Sequence, residues 1–130
     1  MNKFALVLTG ITITSLFSTG FVLADDAAIK TMAQITMSLN HFPSDDDKAA
    51  LKGIIDSDDS TEEAADIAVA ISNFQHKVTE KDAERLEDTI SDGNTETDAR
   101  KLASILLRIH HTASDEDKTT LAALAGRLTR

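Results

Sequence analysis

Three of the four histidines in the chain, His41, His76 and His111, stand 35 residues apart. Each opens a similar stretch: HFPSDDDKAAL at 41–51, HKVTEKDAERL at 76–86 and HTASDEDKTTL at 111–121. Three neutral imidazoles can hold zinc or copper, with nearby carboxylates available to complete the shell. His41, His76 and His111 are therefore candidate metal ligands. The preferred expectation is structural. A histidine near a helix C-terminus can bond the last carbonyls and suits the negative end of the dipole, and Asp47, Asp82 and Asp117 follow six residues on. On that reading each histidine closes a helical hairpin. Architecture separates the two. Packed helices lie roughly 8–10 Å apart, so an open stack of hairpins would hold the first and third histidines about 20 Å apart. Zinc–nitrogen bonds are about 2 Å. Only a closed arrangement with pseudo-threefold symmetry would gather all three, and the sequence leaves both arrangements open. His110 beside His111 adds little, because adjacent helical residues point in different directions.

Other chemistry is poorly served. DSDDSTEE at 56–63 places Asp56, Asp58 and Ser60 at the first three ligand positions of a calcium loop, but Thr61 replaces the glycine and Ile67 the closing glutamate. DGNTE at 92–96 fails at the same closing position, Ala103. Haem would need Met32 or Met37 with a histidine and a wide apolar pocket, for which Phe42 and Phe74 are the only aromatics beyond residue 24. There is no cysteine, which excludes thiol catalysis and thiolate zinc sites. No nucleophile elbow, phosphate loop or zinc-protease motif occurs. The expectation is a non-enzymatic protein without cofactor, with zinc or copper as the alternative.

The elements that must position these histidines repeat with them. Met32, Ile67 and Leu102 align on the 35-residue period, as do Ala33, Ala68 and Ala103. So do Leu39, Phe74 and Ile109, and Leu51, Leu86 and Leu121. A period of this length marks a repeated supersecondary unit. Leu102, Ile105, Leu106 and Ile109 follow the spacing of an amphipathic helix, and Ile67, Ala70, Ile71 and Phe74 repeat it. Copy one carries Thr36 at the fourth apolar position. A second, shorter helix carries Leu51, Ile54 and Ile55, or Leu86 and Ile90, or Leu121 and Leu124. Ser44, Thr79 and Ser114 are expected N-caps, each with an aspartate three residues later. Ser60 and Thr95 are expected to start the next first helices in the same way. No segment alternates with the period of a strand. The fold class is thus all-α: three tandem helical hairpins, about 27–61, 62–96 and 97–130, in one domain of six short helices. The period is close to that of tetratricopeptide and pentatricopeptide repeats. The tetratricopeptide Trp, Gly, Tyr and Pro positions are missing and the charge is wrong for an RNA reader, so no family is assigned.

Residues 1–24 read as a signal peptide: Lys3, an apolar run, then Val22 and Ala24 before an expected cleavage. The 25–130 domain, without Lys3, has 12 Lys and Arg against 22 Asp and Glu, a net charge of −10. That balance repels nucleic acid and anionic lipid. The expected protein is periplasmic or secreted, free of the membrane after cleavage. Its expected role is a protein-interaction module, binding another protein of the cell envelope; a metal-binding role through the histidines is the alternative.

Overall fold

The computed structural model describes residues 26–126. The expected signal peptide, with Val22 and Ala24, lies outside the described residues. Six helices follow in order: α1 at 26–38, α2 at Asp45–Asp56, α3 at Glu62–Ser72, α4 at Glu80–Ser91, α5 at Thr97–Arg108 and α6 at Asp115–Gly126. No strand occurs among the described residues; isolated bridges flank the three histidines. The all-α expectation holds.

The apolar registers account for the packing. Met32, Ala33, Ile67, Ala68, Leu102 and Ala103 have no exposed surface, so the odd-numbered helices supply the middle of one continuous core. Each even helix lays the leucine of the shared register against it: Leu51, Leu86 and Leu121 are equally inaccessible, and α6 adds Leu124. A leucine buried this fully contributes about 1.5–3 kcal/mol. α3 packs on α2, α4 and α5, and α5 on α4 and α6. Thr36 occupies its apolar register without penalty, because its hydroxyl donates to the Met32 carbonyl at 2.7 Å.

Ser44, Thr79 and Ser114 cap the even helices as expected. Their hydroxyls accept the N–H groups of Asp47, Asp82 and Asp117 at 3.1, 3.2 and 3.1 Å. At Ser44 the Asp47 carboxylate also accepts the cap's own N–H, completing a capping box. α3 and α5 begin one residue later than expected. α3 is capped by Thr61, whose Oγ1 accepts from Ala64, and not by Ser60. The N-cap of α5 is Glu96, while Thr95 turns inward and is buried. At both sites two adjacent residues compete for the cap, and packing selects the second.

Candidate metal centre

Each histidine sits in a loop between an odd and an even helix, three or four residues beyond the end of the first. That corrects its expected place in a last helical turn. The cause is its backbone: His41, His76 and His111 have φ of 69°, 67° and 69°, the only non-glycine residues with positive φ among those described. A residue in that region cannot continue a right-handed helix. Each loop is pinned on both sides by burial. Leu39, Phe74 and Ile109, two residues before each histidine, are 1–2 % exposed. Pro43, Val78 and Ala113, two residues after, are buried as well. The histidines between them are forced outward, and all three are exposed.

The loops meet at one end of the molecule. The His41 N–H donates to the His111 carbonyl at 2.8 Å, His76 to His41 at 2.6 Å and His111 to His76 at 2.6 Å. These bonds form a closed ring in which every copy gives one link and receives one. The arrangement is the closed one, with the first and third histidines in direct contact. Phe42 N–H also donates to the Asn40 carbonyl, and Thr112 N–H to the His110 carbonyl, both at 2.8 Å. An i→i+2 bond around a positive φ is a γ-turn of the rare, strained hand. Such strain persists only where its surroundings over-determine it, and here the ring and the two buried anchors do so.

Above this ring the imidazoles converge. Their centroids are 5.0, 5.0 and 4.8 Å apart, with planes inclined at 61–87° in a three-bladed propeller. One ligand nitrogen from each lies within 4.8 Å of the others. Tetrahedral zinc with bonds of about 2.0–2.1 Å needs ligand nitrogens about 3.3 Å apart, a change within reach of side-chain rotation. Two polar contacts already orient the rings. Nδ1 of His76 and Nδ1 of His111 are 2.9 Å apart, one donating and the other accepting. Nδ1 of His41 donates to the Asn40 carboxamide oxygen at 2.6 Å, leaving Nε2 with its lone pair. A ring N–H held by an amide or carboxylate oxygen is the usual support of a metal-ligating histidine.

The expected histidine–aspartate contacts are not the ones formed. Asp82 accepts from the Asn73 amide at 3.1 Å and the Thr79 hydroxyl at 2.9 Å. Asp117 accepts from Arg108 Nε at 2.9 Å, with a second bond from Nη2. The bonded Arg108 guanidinium, assisted by Ser114, holds the Asp117 carboxyl below the ordinary carboxylate range against the effect of burial. Asp82 and Asp117 tie the end of one helix to the start of the next, so the clasp of the second and third hairpins is carboxylate chemistry, and the imidazoles are left to one another and to Asn40. Sequence reasoning missed Asn40, Asn73 and Arg108. The one available signal was position: Asn73 and Arg108 share a register nine residues before their aspartates.

Comparison with known proteins finds no matching family, curated protein or solved structure.

Proposed function

We propose that the protein binds a transition-metal ion, zinc or copper, through His41, His76 and His111. The observation that carries this reading is their convergence: three imidazoles from loops 35 residues apart meet on a strained, hydrogen-bonded ring. Three nitrogen donors on an exposed apex suit zinc and copper, and leave a fourth position facing solvent. Strain concentrated at the apex supports the same reading, since strained backbone clusters at functional sites. With the signal-like segment at 1–24, the setting we propose is the periplasm or the exterior.

The test is metal stoichiometry. Protein stripped with chelator, then dialysed against micromolar zinc or copper, should retain one ion per chain, and each of His41→Ala, His76→Ala and His111→Ala should lose it. Acid should release the ion, because protons compete for the imidazoles. Retention undiminished by all three substitutions, or no retention at all, rejects the reading.

Phe42 favours a second reading, the interaction module. Among the described residues it is the large hydrophobic side chain left exposed, at 62 %, and it adjoins His41. A partner protein seated on the histidine apex would cover it. Such a complex should weaken with Phe42→Ala while metal content stays unchanged.

A further inference from the structure

A second polar site lies away from the histidine apex, between the start of α3 and the end of α4. It is a cleft of about 440 Å³ lined by Glu62, Glu63, Asp66, Asp88 and Asp92, with Arg85 as its one cation and Thr89 and Thr95 completing it. Excess carboxylates alone would be a solvated surface. A different observation points to a ligand. Thr95 is 5 % exposed and lines the cleft, and its Oγ1 has no hydrogen-bond partner among the described residues. Its own backbone fixes it there, through an N–H donated to the Asp92 carbonyl at 3.1 Å. Buried hydroxyls are normally satisfied; this one lacks the partner that a ligand N–H would supply once a small local adjustment opens it to the cleft.

The chain's own repetition shows that the site is particular to the middle copy. At the positions of Glu62, Asp66, Asp88 and Asp92 the first copy has Ala27, Thr31, Gly53 and Ser57. The third has Thr97, Lys101, Ala123 and Arg127. The middle copy therefore departs from its siblings at several positions scattered in sequence and gathered in space. Burial, reinforced by Glu62 and Glu63 and opposed by Arg85, pushes the Asp66 carboxyl up. A positive charge arriving there relieves that repulsion.

A single metal ion does not fit. Among the described residues the histidines are the one set of three or more His, Asp or Glu side chains gathered closely enough to hold an ion. The cleft's carboxylates are spread along two helix ends. We propose that this cleft binds a small organic diamine or polyamine, with its ammonium groups divided between the Glu62–Glu63–Asp66 end and the Asp88–Asp92 end and one N–H donated to Thr95 Oγ1. Cations separated by a flexible chain match carboxylates separated by a groove.

The experiment is calorimetric titration of the purified protein with 1,4-diaminobutane at low salt, with calcium as a control. Saturable one-site binding is expected, unaffected by His76→Ala, so that failure here and failure of the metal reading are distinguishable. Asp88→Asn should weaken it. Thr95→Val should weaken it about tenfold, as loss of a hydrogen bond to a charged group does. The same substitution should leave the melting temperature of the free protein unchanged or higher, because it removes an unsatisfied hydroxyl. No saturation at millimolar diamine, affinity indifferent to Thr95→Val, or tighter binding of calcium would each overturn the proposal.

Discussion

A histidine at a φ near +68° carries a strain that glycine would not. The left-handed region costs an ordinary residue roughly 1–2 kcal/mol, so replacing the histidine should separate backbone from side chain. We expect His76→Gly to be more stable than His76→Ala by about 1 kcal/mol, with the same order at His41 and His111. Denaturant midpoints of the six single variants check this; equal midpoints for Ala and Gly would show that the ring relieves no strain when glycine enters. Both kinds of variant should lose metal alike. The recurrence of the histidines was legible in the sequence, because a fixed period leaves its mark whatever the conformation. Their positive φ was not. Glycine or asparagine usually announces that region, and histidine, though tolerated there, gives no local sign of it. Asn40 was equally silent, since its partner is its immediate neighbour in a turn that the sequence does not reveal.

Helix ends were the most readable elements. Ser44, Thr79 and Ser114 combine a capping hydroxyl with an acidic first turn. Substitution of each by alanine should cost about 0.5–2 kcal/mol. Thr79→Ala should fall toward the upper end, because its hydroxyl also donates to the buried Asp82 carboxylate, whereas Ser44→Ala should be milder. Thermal or denaturant unfolding measures the ranking. Ser60 and Thr95 misled because Thr61 and Glu96 stand beside them, and only tertiary packing chooses between adjacent candidates. The Arg108–Asp117 tie adds a pH signature. A carboxyl whose folded pKa is depressed contributes stability that is present above its unfolded value and lost as pH falls through the folded one. Arg108→Met should therefore destabilise by roughly 1 kcal/mol near pH 7, since its half-exposed guanidinium is screened by solvent. The deficit should shrink as pH falls below about 4, the value of an unfolded aspartate, toward the lower folded one. A deficit constant from pH 7 to pH 3 would mean that the lost stability came from packing of the arginine stem.

The choice between an open stack and a closed ring belongs to the whole molecule, and the sequence held no vote on it. Both bury the same apolar stripes, and the deciding bonds run between backbones of residues 35 and 70 positions apart. Closure changes how the protein should fail. An open solenoid tolerates loss of a terminal repeat, because each unit leans only on its neighbours. Here removal of the third copy takes Leu102, Leu106 and Ile109 out of the one continuous core and deletes two of the three ring bonds. A chain ending at residue 96 should show no cooperative unfolding transition by circular dichroism; a sharp transition would indicate a stack. Metal should act on the intact protein as a further closure. Ligand at a hundred times its dissociation constant adds about 2.7 kcal/mol, so the melting temperature should rise with zinc or copper, and chelator should reverse it.

The main-chain ring makes no distinction of order: each copy hands its neighbour the same link, whichever comes first along the polypeptide. The connections between α2 and α3 and between α4 and α5 then serve as tethers, which hold like parts at an effective concentration of the order of millimolar. A 35-residue unit such as 62–96 contains one donor, one acceptor, one imidazole and its share of the core. Freed from its siblings and concentrated, it has the means to rebuild the apex as a homotrimer with three copies of His76. Covalent continuity, in this fold, is a substitute for concentration.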